Sequence, residues 1–503
     1  MIIKCLRKPY YNYLLNNPLY HKTKSQQISK PGTKSGTIDY IVYKYMDQAA
    51  SYTNIDQEKI KFYKSCDNTL EITIPLIRKN GKLEIIKGYR TQHKTYKLPT
   101  RGGLIINKNI TKEDIEAFAC LNSIRAVALN MPHGGAKGAI CINPKDYTDN
   151  EIETIIRKYI VECGKKGIIG SSIDIPGTDL GSTEREMNWI KDTYTFFYGQ
   201  DDIDAQACAT GKSLNQGGLN GALQSSGFCV YFTIQYLLNQ QEFCQKAGIT
   251  QGIKGKKFIV EGYGNVGYWA SKFLQEAGGI LIGVIEHDGE CYNEQGIDAQ
   301  DINDYLLKNK GIKGYSKAKA IKDVAFQKCD IFIPSYFAKA IYQQIADKFQ
   351  CKIVAEAANL SVTPNAEKIL ESKGIQIIPD VICSSGGFLA GYFEWIKNIN
   401  HTQSHGSMTR KWEYKSNIQL LETIEEETGL KIKQELSHYF KDIQGANEQD
   451  LVFSGLQEGF ESALNACIET QNKYLVNLRQ AVYINALKKI DEHYKQVGIT
   501  FGK

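Results

Sequence analysis

The chain is 503 residues long, too long for one ordinary hydrophobic core, so two or three domains are expected. Its 42% hydrophobic and 23% charged residues suit a soluble globular protein, and no apolar run reaches the length of a membrane span. Sixty-one basic residues against 55 acidic ones leave a net charge of only +6 with no dense basic stripe, which argues against nucleic acid as a partner.

Residues 1–38 hold Lys4, Arg7, Lys8, Lys22, Lys24, Lys30 and Lys34 and no acid. Mitochondrial presequences and solvated basic arms share that composition, and both readings stand. From about 39 to 90 helix and strand alternate, and LEITIPLIRKNGKLEIIKGY reads as two strands joined at Asn80-Gly81. Arg101 follows, with Gly102 and Gly103 beside it. KEDIEAFACLNSIRAVALN reads as a helix with Arg125 near its end, leading into a glycine-rich loop, PHGGAKG, at 132–138. Glycines let a backbone approach a ligand closely, and a lysine held there away from water is disfavoured as an ammonium, which makes Lys137 an acid/base candidate. A solvated lysine on a surface turn is the competing reading. TDNEIETIIRKYIVECGKK is an amphipathic helix with Ile152, Ile155, Ile156 and Ile160 on one face. IGSSIDIPGTDLGSTEREM reads as a polar loop carrying Asp174 and Asp179 ahead of another helix.

At 257–289 an apolar strand, FIVEGYG, runs into Gly262-Tyr263-Gly264-Asn265-Val266-Gly267 and a helix. A second strand, ILIGVIE, ends in Glu286, nineteen residues after Gly267. This is the setting in which a GxGxxG turn binds a dinucleotide: glycines admit the pyrophosphate to the helix N-terminus and the acid hydrogen-bonds the ribose. Glu286 favours NAD, because a 2′-phosphate would meet a carboxylate; NADP stays open. CDIFIPS, KIVAEAAN and IQIIPDVI supply further strands, as a doubly wound α/β sheet requires. From about 396 to 448 the chain is polar and helical, with Leu420, Leu421 and Ile424 as a narrow apolar stripe, and the tail reads as packed helices. No two of the thirteen cysteines are closer than fifteen residues, so there is no CxxC zinc signature, no metal is expected, and the thiols read as reduced and packed.

The Gly-Gly-Ala-Lys loop, the downstream aspartate and the later dinucleotide unit together resemble the glutamate dehydrogenase family, which covers glutamate, leucine, phenylalanine and valine dehydrogenases. The segments GGAKGAICINPKDYTDNEIE, STEREMNWIKDTY, ACATGKSLNQGGLNG, GYGNVG and YFEWIKNINH look like its animal-type, antenna-bearing hexameric branch, and the likeness runs from about residue 50 to the end. It implies five parts: the basic segment 1–38, an α/β substrate and oligomerisation domain at 39–215, a Rossmann-type NAD(P)-binding domain at 216–395, an antenna-like insert at 396–448, and C-terminal helices at 449–503. The implied reaction is NAD(P)-dependent oxidative deamination of L-glutamate to 2-oxoglutarate and ammonium. By resemblance Lys137 matches the catalytic lysine and Asp179 the catalytic aspartate, whereas Asp174 aligns with no catalyst. Gly262, Gly264, Asn265, Val266, Gly267, Glu286 and Asn359 match cofactor-binding positions.

The departures from the family are as informative. Arg101 stands where the family has a lysine for the substrate's side-chain carboxylate, and Arg125 where it has one for the main-chain carboxylate. Ala222 replaces a substrate-holding arginine, Gly391 a serine and Phe388 a valine. In the cofactor cleft, Tyr336 and Phe337 replace small residues and Ala357 replaces a glycine, so that these side chains either obstruct a bound ribose or turn aside. Positions matching the branch's GTP site hold Asn220, Phe228, Lys272, Glu276 and Phe453; those matching its ADP site hold Asn130, Gln206 and Ser462. With the histidines and arginines of the GTP site replaced, Glu276 there of the wrong sign, and no cation at the ADP positions, neither nucleotide is expected to regulate this chain. Two functions follow: a homo-oligomeric dehydrogenase acting on glutamate or a related small-molecule amino-acid substrate, or a catalytically impaired paralogue serving as a structural subunit, with foreign subunits among its partners.

Overall fold

The computed structural model describes residues 37–429 and 445–497. The basic segment, except for its last two residues, and positions 430–444 of the antenna-like insert therefore lie outside the described residues.

Two sheets organise the chain. The first has the order β1-β2-β4-β3-β5, from β1 Asn68–Ile77, β2 Leu83–Gln92, β3 Thr100–Ile106, β4 Gly134–Ile140 and β5 Asp174–Gly177. β1 and β2 form the expected hairpin, turning at Gly81 with a positive φ of 79°, where Asn80 Oδ1 accepts from the Lys82 amide at 3.0 Å. β2 runs antiparallel to β4, while β3 lies parallel to both β4 and β5. The helix Lys112–Ala128, opened by a reciprocal Thr111–Asp114 capping box, makes the crossover from β3 to β4. It is buried on nearly every side, because the helices Ile38–Ala50 and Leu478–Val497 cover the face that the sheet leaves free. The helix Asp149–Lys165 buries Ile152, Ile155, Ile156 and Ile160 in a second cluster, as its periodicity predicts.

Two stretches read as loops are strands. The Lys137 motif is β4, because its glycines fall where neighbours press on the strand: a Cβ on Gly135 would overlap the Ser123 amide, and one on Gly134 would meet Lys97 O at 2.8 Å. Asp174–Gly177 is β5, a buried strand of four residues, too short to show an alternating pattern.

The second sheet has the order β12-β11-β10-β6-β7-β8-β9. Its five parallel strands are β6 Lys257–Glu261, β7 Ile280–Glu286, β10 Ile331–Pro334, β11 Ile353–Ala355 and β12 Gln376–Ile378; β8 Gly289–Tyr292 and β9 Lys319–Ala320 add an antiparallel edge. The parallel set contains the strands expected from the apolar runs. β6 is flanked by β7 on one side and β10 on the other, so the strand order reverses there, and ligands bind parallel sheets at the carboxyl ends of strands at such a point. The helix Gly386–Ile399 leaves this half and runs unbroken through position 396. Beyond it, Arg410–Thr428 is a helix that buries no residue; Leu420 is 60% exposed, so its stripe is uncovered among the described residues. Glu448–Tyr474 and Leu478–Val497 form the packed C-terminal helices.

Candidate active site

β4 carries Lys137 into the middle of the first sheet, where its side chain is 3% exposed. Its Nζ donates to Asp179 Oδ2 at 2.6 Å, and it lies 5.0 Å from the centroid of the Phe118 ring. Asp179, in the turn after β5, is 22% exposed, so the pair is reachable from one side. The turn is held by Ser182, whose Oγ accepts from the Asp179 amide at 2.9 Å, and by Asp179 Oδ1 accepting from the Leu180 amide at 2.8 Å. Gly103 makes room for this carboxylate: a Cβ there would overlap Oδ2 and stand 2.8 Å from Cγ.

Asp174 is engaged quite differently. Arg90 grips it with two hydrogen bonds, Nε to Oδ2 at 2.7 Å and Nη2 to Oδ1 at 2.5 Å, and both side chains are wholly buried. Burial pushes its carboxyl up, and Arg90 works against that shift. It is a structural ion pair.

The two arginines link the first sheet's half to the second. Arg101, on β3, is 5% exposed. Its Nη1 donates to the carbonyl of Phe388, on the helix Gly386–Ile399, and its Nη2 to Thr210 Oγ1 at 2.9 Å. Nε is buried without a hydrogen-bond partner, and among the described residues no carboxylate lies within ion-pair distance. Burial holds the guanidinium down to about 10, with Glu394 opposing. Arg125, at the end of the crossover helix, is 4% exposed and already engaged. Its Nη2 donates to Asn359 Oδ1 at 2.7 Å, Ser384 Oγ at 2.8 Å and Asp380 Oδ2 at 3.2 Å. Asp380 also accepts from Arg479 Nη1 at 3.0 Å, and Arg479 continues to Glu367 at 2.9 Å and Glu356 at 2.5 Å. Ala222 only opens the helix Ala222–Leu238 and packs its methyl on the core.

On the second sheet the three glycines divide the work of a dinucleotide turn. Gly262 has φ +88° between strand and helix, a Cβ on Gly267 would overlap Gly262 O, and a Cβ on Gly264 would meet nothing within 4 Å. Open space at the middle glycine, in front of the helix Asn265–Glu276, is the cradle a pyrophosphate needs, so these residues fit the group. Asn265 donates to Leu223 O at 2.8 Å while its Oδ1 is buried without a partner, and Val266 packs against the main core. Glu286 Oε1 accepts from the Tyr263 amide at 2.5 Å, and its Oε2 from the His287 ring at 3.0 Å. Tyr336 is half-buried beside Gly262, and burial, then the charges of Glu286 and Glu261, push its phenol up to about 12. Phe337 packs on the core, as does the buried Ala357. Asn359 meets Arg125 through its Oδ1.

Sequence reasoning missed Thr210, Asp380, Ser384 and Arg479. Thr210 lies in the ACATGK segment and could have been singled out there; Arg479 offers no local signal, since its partners are about a hundred residues away. Where the GTP positions fall, Phe228 stacks on Phe453 with centroids 4.4 Å apart, and Phe273 meets both edge-on at 5.5 and 5.9 Å.

Two family models match the chain: the Glu/Leu/Phe/Val dehydrogenase dimerisation domain over residues 67–196, and Glutamate/Leucine/Phenylalanine/Valine dehydrogenase over 217–498. The chain is 36% identical over 460 residues to a mitochondrial glutamate dehydrogenase of Dictyostelium discoideum, covering 91% of each. It is 28% identical over 361 residues to the NADP-specific glutamate dehydrogenase A1 of Halobacterium salinarum, covering 71% of this chain and 84% of the relative. The fold is similar to that of the hetero-hexameric glutamate dehydrogenase of Thermus thermophilus in its leucine-bound form, with a TM-score of 0.77 at 21% identity, covering 94% of this chain and 99% of that one.

Proposed function

The chain belongs to the glutamate/leucine/phenylalanine/valine dehydrogenase family of oxidoreductases, and from that premise we propose that it catalyses the oxidative deamination of L-glutamate. In this reaction glutamate, NAD or NADP and water give 2-oxoglutarate, ammonium, the reduced cofactor and a proton. The observation that carries the reading is the Lys137–Asp179 contact of 2.6 Å, between a buried amine and a partly open carboxylate. Arg101 supports glutamate over the family's apolar substrates, since a buried cation without a counter-ion suits a side-chain carboxylate. The relatives described above are enzymes by name, and they lend no support to an impaired structural subunit.

A bound nicotinamide would supply the acceptor for the hydride that leaves the substrate's Cα. The turn Gly262–Gly267 would hold the pyrophosphate and Glu286 a ribose; which of the two nucleotides is preferred is tested with both. Asp179 takes a proton from the substrate ammonium, so that the amine lone pair assists loss of the hydride. Lys137 then orients water and removes its proton as it attacks the resulting iminium carbon. Lys137 returns that proton to the carbinolamine nitrogen and takes up the hydroxyl proton as the carbonyl forms and ammonia leaves. The two groups touch, so the proton held on Asp179 goes on to make the ammonium and the one on Lys137 is released to water. Arg101 and Arg125 orient the two carboxylates.

We infer further that the chain assembles with copies of itself as a hexamer, with the exposed Arg410–Thr428 helix as an antenna-like projection, and that the segment 1–38 directs it to mitochondria. At the positions matching the GTP site Phe228 stacks on Phe453, and Lys272, the one cation among them, lies over the Trp269 ring at 5.4 Å, so GTP is not expected to regulate this chain; a GTP-induced shift in melting would refute this. The decisive test follows nicotinamide absorbance with glutamate and NAD or NADP, and with 2-oxoglutarate, ammonium and reduced cofactor. Turnover is expected, falling about 10²- to 10⁴-fold in Lys137→Ala or Asp179→Asn without loss of folding. Silence with both cofactors overturns the proposal.

A further inference from the structure

Arg101 and Gly391 fit one another as a unit. A Cβ built on Gly391 would overlap Arg101 Nη2 and Cζ and stand 3.0 Å from Nη1, so any side chain at 391 claims the volume that the guanidinium fills. The surroundings fix that position. Nη1 donates to the Phe388 carbonyl three residues earlier on the same helix, and the guanidinium carbon lies 5.2 Å from the centroid of the Phe388 ring. Nη2 donates to Thr210 Oγ1 at 2.9 Å. Thr210 is tied to the helix through Glu394, which accepts from the Gly211 amide at 2.9 Å and from Lys212 Nζ at 2.8 Å, with the Lys212 and Glu394 side chains 0% and 1% exposed. Both Nη atoms are therefore anchored, and the Nε–H is the buried donor left without an acceptor.

We propose that Gly391, with Thr210, is a positioning residue that sets the substrate specificity of this pocket, holding the Arg101 guanidinium so that its Nε edge meets the far carboxylate of a dicarboxylic substrate. Arg101 and Gly391 are one exchange, not two losses: the cation has grown into the room that the glycine vacates. The inference rests on the dicarboxylate reading above, but the pairing itself is testable without turnover.

The test is a double-mutant cycle on the full chain with Gly391→Ser, Arg101→Lys and both together, read in two ways. In thermal melts Gly391→Ser lowers the melting temperature of the parent and does so less in the Arg101→Lys background, because lysine leaves the volume free; additive shifts overturn the pairing. In kinetics Gly391→Ser raises the KM for glutamate about 10- to 100-fold, the loss of one charge-assisted hydrogen bond, with the cofactor KM within about twofold. The double variant recovers most of the glutamate KM. Thr210→Val raises the same KM without touching residue 391, and Gly391→Ala gives an intermediate effect should the serine variant fold poorly. An unchanged glutamate KM in Gly391→Ser, or a double variant no better than the single, also overturns the proposal. A parent that turns over no amino acid defeats the functional reading, and the melts still decide the pairing.

Discussion

The two ends of the cleft hold the same kind of side chain in opposite electrostatic states. Arg101 is buried, and none of the described residues supplies it a counter-ion. Arg125 is equally buried, but it faces Asp380 at 3.2 Å and joins a network in which Arg479 binds three carboxylates. A buried charge without a partner costs several kcal/mol, whereas a paired one is largely offset. The contrast divides the cleft into an end that lacks a negative charge and an end that already has one. In the function proposed above, a ligand carboxylate would complete the first and have to share the second, so the Arg101 end would select for a dicarboxylate and the Arg125 end would accept what every amino acid carries.

Neutral substitutions break or sharpen this contrast, and they give the largest effect expected. Arg125→Met leaves Asp380, Glu356 and Glu367 with a single guanidinium among them, so stability falls by about 3–5 kcal/mol in denaturant titrations. Arg101→Met deletes a buried charge that no carboxylate pairs, at the cost of two neutral hydrogen bonds, so the apoprotein nearly keeps its stability, while protection by glutamate or by glutarate disappears. If both variants lose the same stability, the two ends are not different in kind.

What was legible in the sequence follows the same division. Lys137 and Asp179 stand among glycines and on recognisable segments, and each reaches its place through the strand that carries it or the turn that follows. The GYGNVG turn was legible because strand, glycines and helix are contiguous. That Lys137 lies on a strand was hidden, because glycines signal turns in isolation, and their reason here is the pressure of Ser123 and Lys97 from elsewhere. The state of Arg101 was hidden more deeply. It depends on Phe388 and Gly391, nearly three hundred residues away, and the sequence alone gives Arg101, Phe388 and Gly391 as unconnected departures from the family. Arg479 had no signal at all, because its network exists only once the C-terminal helix closes on the second sheet's half.

The next effect in size is a pH dependence at the Arg125 end. Two guanidinium groups against three carboxylates leave one negative charge in excess, and burial holds Glu356 up to about 7, Arg479 opposing. A carboxyl raised in the folded state binds more protons there than in the unfolded chain, so its contribution is complete below its ordinary value of about 4.3 and is lost as the pH rises through about 7. Buried His93, held down to about 3, and His133, held down to about 4, act the other way, losing stability as the pH falls below about 6.5. Glu356→Gln removes the first slope and keeps the second. Its melting temperature then climbs more steeply than the parent's between about pH 5 and pH 7. Parallel curves would show that Glu356 carries no proton in the folded protein.

The smallest effect lies at the Arg101 end and tests the charge there from a neighbour. The His133 ring packs edge-on against Tyr392 at 5.2 Å and Trp395 at 4.9 Å, donates from Nδ1 to the Pro99 carbonyl at 3.0 Å, and buries Nε2 without a partner. Burial and then the Arg101 charge keep it neutral. His133→Phe preserves the aromatic contacts, gives up one hydrogen bond worth about 1 kcal/mol, and removes a buried lone pair that nothing satisfies, so near neutral pH the variant matches the parent within about 1 kcal/mol. On acidification the curves separate in the variant's favour, because the parent must either leave the imidazole neutral at a growing cost or charge it beside a guanidinium that has no counter-ion. That second part of the penalty belongs to Arg101. Placing His133→Phe in the Arg101→Met background therefore narrows the separation seen at about pH 5, and a bound dicarboxylate narrows it as well by bringing the missing negative charge to the same place. If the separation is unchanged in both cases, the histidine is held neutral by burial alone, and Arg101 is not the unbalanced charge on which the contrast between the two ends depends.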